Sequence, residues 1–296
     1  MSRLRTALEH GEFVVTAETA PPKGTDVAPL LARAKLLAKY THAVNITEMQ
    51  NARMRLGSIP ACHLLVEAGI EAIAHIACRD RNRLALQSDT LSVWVFGIKN
   101  VLCITGDHTR LGDHPESKPV FDLDSVQLIQ TVAALNGGYD LAGNQLEGHP
   151  DLFIGAVVNP TAEARDLQAL KMRKKIAAGA RFFQSQAIFE PQRLAEFLAL
   201  VQGVPFYLIA GVVFPKSAAT CRYMNEHVPG VHVPEWIIQE LDGLDKAARQ
   251  EKSIEICAGI IRELKGLCHG VHVMTLGRED LLPEILANAG IRPISG

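Results

Sequence analysis

The chain has 296 residues, of which 48% are hydrophobic and 21% are charged, and its formal net charge is −2. This is the composition of an ordinary soluble globular protein, long enough to bury a large core without disulfides or metals. So small a net charge provides no field that attracts nucleic acid or an anionic membrane, and neither is expected as a partner. No apolar run reaches the ~18 residues of a membrane span, and residues 1–12 lack the apolar core of a signal peptide. A cytoplasmic location is expected.

The cysteines and histidines give no sign of a disulfide framework or a metal site. The six cysteines form no C-x-x-C pair and lie mostly in apolar segments: Cys62, Cys78, Cys103, Cys221, Cys257 and Cys268. Buried free thiols in a reducing compartment are therefore predicted. His108, His114 and His149 fall in predicted loops without the spacing of metal ligands, so no metal is expected.

In the first half of the chain, a short helix over residues 1–11 precedes alternating strands and helices. Predicted strands cover residues 12–18, 43–47, 71–76 and 101–104, and predicted helices cover residues 26–40, 60–68, 82–97 and 124–136. Asp26 and Asp124 are candidate N-caps, and Pro60 suits a helix start. Residues 137–150 contain four glycines and no apolar periodicity, which predicts a long loop.

The same alternation continues through the second half. Predicted strands cover residues 152–158, 181–186, 205–209 and 271–274, and predicted helices cover residues 161–178, 190–201, 217–226, 234–241, 245–265 and 279–289. Thr161 is the expected cap of the first of these helices, and residues 211–215 are expected to form a loop. Eight strands, each followed by a helix, imply a parallel sheet. A (β/α)8 barrel forming one domain over residues 1–296 is predicted, and an open doubly wound sheet is the alternative.

Three polar side chains follow predicted strands at the end where barrel enzymes keep their chemistry. Glu18 ends the first strand, Asp107 follows the fourth, and Gln186 ends the sixth. Two carboxylates in one cleft acquire separated pKa values and can divide acid and base work. Each acid could instead cap a helix or pair with a lysine, and Gln186 could simply organise a loop.

His75 and Lys175 are weaker candidates. His75 ends the third predicted strand and could donate to a phosphate or ring oxygen, although a core histidine satisfied by backbone is an equal alternative. Lys175 lies late in its predicted helix, where a lysine is expected on the solvent-exposed face. There is no G-x-G-x-x-G, P-loop or G-x-S-x-G motif. The residues alone thus predict a barrel enzyme with an acid-rich mouth and an unknown substrate.

Several short motifs occur in an order and spacing that is specific in combination. They are T-A-E-T-A-P-P at 16–22, T-G-D at 105–107, K-I-A-A-G-A-R-F-F-Q-S-Q at 175–186, V-P-E-W at 233–236 and D-G-L-D at 242–245. Through these motifs the chain resembles the methylenetetrahydrofolate reductase family over residues 13–293. The resemblance implies a (β/α)8 barrel that binds a flavin, usually FAD with FMN possible, without a Rossmann motif.

The resemblance also implies a reaction and roles for residues. NADH or NADPH would reduce the flavin, and 5,10-methylenetetrahydrofolate would then take the place of the nicotinamide and be reduced to 5-methyltetrahydrofolate. Glu18 matches the general acid that protonates N10 of the folate, Asp107 the acid between flavin and pterin, and Gln186 a contact to folate and nicotinamide in turn. The positions matching cofactor contacts are Thr47, His75, Thr105, Gly106, Asp107, Asn159 and Lys175.

The chain departs from the family pattern at two of these positions. Thr105 stands where many bacterial members have arginine, which removes a cation that would meet the phosphates or ribityl chain of the flavin. Asn159 stands where many have tyrosine. These features resemble a branch in which the electron donor can be a redox partner protein. Members of the family are often homo-oligomers, but the sequence itself predicts no oligomeric state. The C-terminal regulatory domain of eukaryotic members is not expected. The alternatives are a non-catalytic or partner-dependent folate-binding subunit and a pterin-dependent methyltransferase.

Overall fold

The computed structural model describes residues 1–228 and 230–294. Eight parallel strands close into a barrel in sequence order, with the first strand paired to the eighth. The strands are β1 (Val14–Thr19), β2 (Ala43–Ile46), β3 (Ala72–Ala77), β4 (Asn100–Ile104), β5 (Phe153–Val158), β6 (Phe182–Ala187), β7 (Tyr207–Val213) and β8 (Gly270–Met274). The predicted (β/α)8 barrel is confirmed, and closure of the sheet excludes the open alternative.

Helices surround the barrel. In the described part of the chain they are α1 (Arg3–Glu9), α2 (Ala28–Ala38), α3 (Ser58–Glu67), α4 (Arg83–Val95), α5 (Ser125–Asn136), α6 (Arg165–Ala178), α7 (Pro191–Leu200), α8 (Ala218–His227), α9 (Glu235–Leu241), α10 (Lys246–Leu264) and α11 (Leu282–Asn288). Their apolar sides pack against the outward side chains of the strands and form the larger core cluster. Across residues 1–228 and 230–294, none of these helices has the length and apolarity needed to cross a bilayer.

A second apolar cluster fills the barrel at the amino ends of the strands. Leu4 and Leu8 of α1 pack against residues that include Phe153 and Phe182, so this helix closes the lower end of the barrel. The rings of Phe153 and Phe182 stack with centroids 4.9 Å apart. A Cβ on Gly155 would lie 2.2 Å from Cζ of Phe182, so the neighbouring strand must carry glycine there. Chemistry is thereby confined to the other end of the barrel.

Some local expectations were wrong. Residues 211–213 belong to β7 and not to a loop, because Gly211 pairs with His272 and its missing Cβ admits the Ser185 carbonyl oxygen, which would lie 2.5 Å from a Cβ there. Thr161 does not cap α6, which begins four residues later at Arg165 without a side-chain cap. The Thr161 hydroxyl instead donates to Oδ1 of Asn159 at 3.1 Å.

Strand ends also shift by a residue or two. His75 lies inside β3, which continues to Ala77, and Gln186 lies inside β6, which continues to Ala187. Asp124 caps α5 through a complete capping box with Gln127, as expected. All six cysteines are free; five are buried and Cys268 is partly buried, which confirms the prediction of buried free thiols.

Candidate active site

The carboxyl ends of the strands open into a cleft of about 720 Å³. Every candidate site residue of the sequence lines this cleft: Glu18, Thr47, His75, Thr105, Gly106, Asp107, Asn159, Lys175 and Gln186. They come from six strands or the turns after them and from α6, so closure of the barrel brings together side chains up to 168 residues apart (186 − 18). Their individual roles remain predictions.

Glu18 is held at the floor of the cleft by a histidine of the adjacent strand. Its Oε2 lies 3.4 Å from Nε2 of His272, and the Glu18 side chain is 18% exposed. Burial raises the pKa of the Glu18 carboxyl, whereas the hydrogen bond and charge of His272 lower it, and the net direction is downward. The ionised carboxylate is therefore the favoured form of Glu18.

A layer of polar side chains crosses the barrel interior below Glu18. Nδ1 of His272 lies 3.0 Å from Oγ1 of Thr16. The Gln184 amide donates to Thr16 at 3.2 Å and accepts from Asn45 at 2.7 Å, and Asn45 Nδ2 lies 2.9 Å from Nε2 of His75. Burial lowers the pKa of His75 to about 4. The ring of His75 is accordingly neutral at pH 7.

Sequence reasoning missed four members of this layer: Thr16, Asn45, Gln184 and His272. The available signal was a polar residue two positions before a candidate on the same strand, because alternate residues of a strand face the same side. Thr16 precedes Glu18 in this way, and Gln184 precedes Gln186. His272 stands alone between two valines in β8, and such a histidine carries no comparable signal in the sequence.

The turn after β4 presents Thr105 and Asp107 at the exposed mouth. Gly106 has φ +89°, in the left-handed region that favours glycine. The nearly fully buried Arg79 donates from Nη1 to the carbonyl oxygen of Asp107 at 3.1 Å. Thr105 Oγ1 accepts from the backbone N–H of Ser125 at 3.3 Å, at the start of α5. Arg79 was also missed by sequence reasoning.

The wall of the cleft that α6 contributes is basic. Lys171, Lys174 and Lys175 line it from one face of α6, since residues three and four apart are neighbours on a helix. Lys175 Nζ donates to the Val157 carbonyl oxygen at 2.7 Å, and burial lowers the pKa of this lysine. The expectation of a solvated Lys175 is therefore wrong. Asn159 donates from Nδ2 to the Gly230 carbonyl oxygen at 3.1 Å on the same side of the cleft.

A buried ion pair fixes the loop after β2 to the end of β3. Glu48 accepts from the Ala77 backbone N–H and pairs with Arg81, which also binds Asp89. Burial raises the pKa of Glu48, although the charge of Arg81 opposes this effect. Within the described residues, no three His, Cys, Asp or Glu side chains form a metal-binding group.

The barrel and its polar mouth define an enzyme that binds a small molecule at the carboxyl ends of its strands. The family model for methylenetetrahydrofolate reductase matches residues 3–290. The chain belongs to the methylenetetrahydrofolate reductase family, and it is an oxidoreductase that acts on a folate of one-carbon metabolism.

Relatives named 5,10-methylenetetrahydrofolate reductase match over almost their whole length. Those of Pectobacterium carotovorum subsp. carotovorum and Escherichia coli (strain K12) are each 24% identical over 297 residues, covering 96% of this chain and 92% and 93% of theirs. An uncharacterized protein from Clostridium thermocellum that binds two copies of 5-methyl-5,6,7,8-tetrahydrofolic acid has the same fold. Its TM-score is 0.64 at 16% identity, with 97% of this chain and 98% of that one covered.

Proposed function

We propose that the protein reduces 5,10-methylenetetrahydrofolate to 5-methyltetrahydrofolate, with electrons from NADH or NADPH passing through a bound flavin, FAD or FMN. The observation that carries the proposal is the meeting of Glu18, Asp107 and Gln186, from three separate strands, in one cleft. A carboxyl, a carboxylate and an amide are the groups needed to donate a proton and to bind a pterin ring. Membership of the family supports the folate substrate.

The residues of the cleft fit a flavin. Oγ1 of Thr47 is buried and has no hydrogen-bond partner within residues 1–228 and 230–294, although it borders the cleft. Buried polar atoms are normally satisfied, so a polar edge of a ligand is the expected partner of this hydroxyl. Thr47, His75 and Asp107 would hold the ring system, and the lysines of α6 would face its phosphates. When bound, the flavin supplies the two-electron chemistry between nicotinamide and folate.

Asp107 and Gln186 position the reacting rings. Arg79 holds the backbone of Asp107, so the carboxylate projects into the mouth from a fixed turn. The amide of Gln186 both donates and accepts, and it can therefore bind the nicotinamide and then the folate at one place. Holding both partners in one orientation supplies much of the rate by proximity.

Glu18, which contacts His272, is the proposed proton donor. Opening the five-membered ring of the folate requires protonation of N10, which needs an acid at the cleft floor. Since the net effect of its surroundings lowers the pKa of Glu18, the carboxyl is not an isolated protonated acid. Glu18 lines the cleft, so it is the member of the Glu18–His272 pair that would pass a proton to N10.

Absorbance spectroscopy of the purified protein tests the proposal. The protein is mixed with FAD or FMN, then anaerobically with NADH or NADPH, and finally with methylenetetrahydrofolate. Flavin bands that bleach with nicotinamide and recover with folate support the cycle and name the donor. Flavin that binds to the protein but is not bleached by NADH or NADPH would assign electron delivery to a partner protein. Absence of flavin binding would reject the proposal and favour the methyltransferase or docking-subunit alternative.

Glu18→Gln separates the two half-reactions. The variant is expected to bind flavin and accept electrons at the native rate but to lose the recovery with folate, because the amide cannot deliver a proton. Glu9→Gln, in α1 at the closed end of the barrel, is the matched control. Folate turnover near the native rate in Glu18→Gln would refute the acid role.

A further inference from the structure

We propose that Arg79 is a phosphate-binding residue of the flavin site. This inference rests on the proposed flavin-dependent function. Arg79 lies two residues after the end of β3. Its guanidinium reaches the turn after the neighbouring strand β4, which carries Thr105, Gly106 and Asp107.

The contact of Arg79 with the turn is close. A Cβ on Gly106 would lie 3.2 Å from Cβ of Arg79 and 3.5 Å from its Nη1. Arg79 is 2% exposed and borders the cleft, so its charge lies directly behind the turn that carries Asp107. Thr105 cannot supply such a charge, and its hydroxyl already accepts from Ser125 at the start of α5.

The guanidinium is not fully used by the protein. Nε and Nη2 donate to the carboxylate of Asp80 at 2.9 and 2.7 Å, and Nη1 donates to the Asp107 carbonyl oxygen at 3.1 Å. An arginine has five N–H donors. One N–H on each of Nη1 and Nη2 thus has no acceptor in the described part of the chain. A buried cation with spare donors at the edge of a cleft is incomplete without a ligand.

The chemistry of these spare donors favours a phosphate. Two guanidinium N–H groups in one plane match two phosphate oxygens, and such charged pairs are stronger than neutral hydrogen bonds. Asp80 is exposed and competes for the same guanidinium. The phosphate affinity of the site should therefore rise when this counter-charge is removed and fall when Arg79 is removed.

Titration of Arg79→Met with riboflavin, FMN and FAD, followed by flavin fluorescence, tests the proposal. Loss of a charged hydrogen bond should weaken FMN and FAD by about 10- to 100-fold and change riboflavin, which has no phosphate, by less than about threefold. The matched control is Arg83→Met, because Arg83 also pairs with an aspartate, Asp122, but does not line the cleft. Equal weakening of all three flavins would assign Arg79 to support of the turn alone and overturn the proposal.

Two further variants distinguish phosphate binding by Arg79 from a purely structural role of this residue. Asp80→Asn should strengthen FMN and FAD relative to riboflavin, and Arg79→Met combined with Thr105→Arg should recover the lost FMN and FAD affinity. If Arg79→Met does not fold, the test rests on Asp80→Asn. An unchanged ratio of FMN and FAD affinity to riboflavin affinity in that variant overturns the proposal. Wild-type protein that binds none of the three flavins overturns the proposed function as well. If the wild-type protein binds all three flavins and the variants leave the ratio of FMN and FAD affinity to riboflavin affinity unchanged, only the role of Arg79 is overturned.

Discussion

The carboxylate of Glu18 in β1 lies 3.4 Å from the imidazole of His272 in β8, across the pair of strands that closes the barrel. The two residues are 254 positions apart in the chain. Their pairing decides the charge of Glu18, because burial of the carboxyl and the charge of His272 act on its pKa in opposite directions. The site's proton supply thus depends on the closure of the barrel itself.

Removing the imidazole should reverse the direction of the Glu18 pKa shift. In His272→Gln the lowering effect of that charge is lost and burial remains, so the pKa of Glu18 should rise above its ordinary value. Infrared titration of the carboxyl band in wild type and His272→Gln measures this, and Glu18→Gln assigns the band. A pKa that stays low in His272→Gln would show that some other group stabilises the carboxylate.

Gly106→Ala should destabilise the protein by about 1–3 kcal/mol, because the residue has a positive φ and its Cβ would crowd Arg79 and Ala77. Gly143→Ala is the matched control. Its φ is +85°, but none of the described residues lies within 4 Å of a Cβ added there, so it reports the backbone cost alone. Urea unfolding of both variants measures the difference. Equal losses would show that the contact with Arg79 adds nothing.

His75 should make the protein less stable in mild acid. Its pKa is lowered from 6.5 to about 4, so below pH 6.5 the unfolded chain binds a proton that the native ring does not. Stability then falls as pH is lowered from 6.5 towards 4, by about 2 kcal/mol between pH 7 and pH 5. Urea unfolding at these two pH values should show a smaller loss in His75→Gln than in wild type. Exposed His10→Gln is the control, and an identical loss in wild type and His75→Gln would contradict the assignment.

The thiols should be nearly inert in the native protein. Burial raises the pKa of Cys78 to about 12 and those of Cys221 and Cys268 to about 11, and Cys62, Cys103 and Cys257 are raised as well. The thiolate is the reactive form, so reaction with a disulfide reagent at pH 8 should be slow. Cys268 should react first because it alone is partly exposed. Denaturation should release all six thiols, and rapid native reaction of several would contradict this burial.

Much of the fold was predictable from local patterns. Most strands are short apolar runs and most helices have a periodic apolar face, and neither signal depends on distant residues. Errors fell where a local signal competed with a tertiary one. Residues 211–213 were predicted as a loop because of Gly211. In the structure the missing Cβ of this glycine leaves room for the Ser185 carbonyl oxygen, and this requirement arises only in the packed sheet. Thr161 read as a cap, but its hydroxyl bonds to Asn159.

The candidate site was predictable in part for the same reason. Residues at the ends of parallel strands must share one edge of the sheet, so the positions of Glu18, Asp107 and Gln186 along the chain suffice to predict one shared cleft. What each of them contacts could not be expected, because a side chain's partner is set by the neighbouring strand. Sequence reasoning therefore missed two such partners. His272 sets the charge of Glu18, and Arg79 holds the backbone of Asp107.

The sequence by itself determined the order of the strands and helices, the barrel class, the family and several of the residues that face the cleft, because these follow from local periodicity and short motifs. Tertiary structure alone decided the polar layer below Glu18, the ionisation of that carboxyl and the placement of a buried arginine behind the Thr105–Asp107 turn. These depend on distances and burial between elements remote in sequence, and electrostatic effects vary with both.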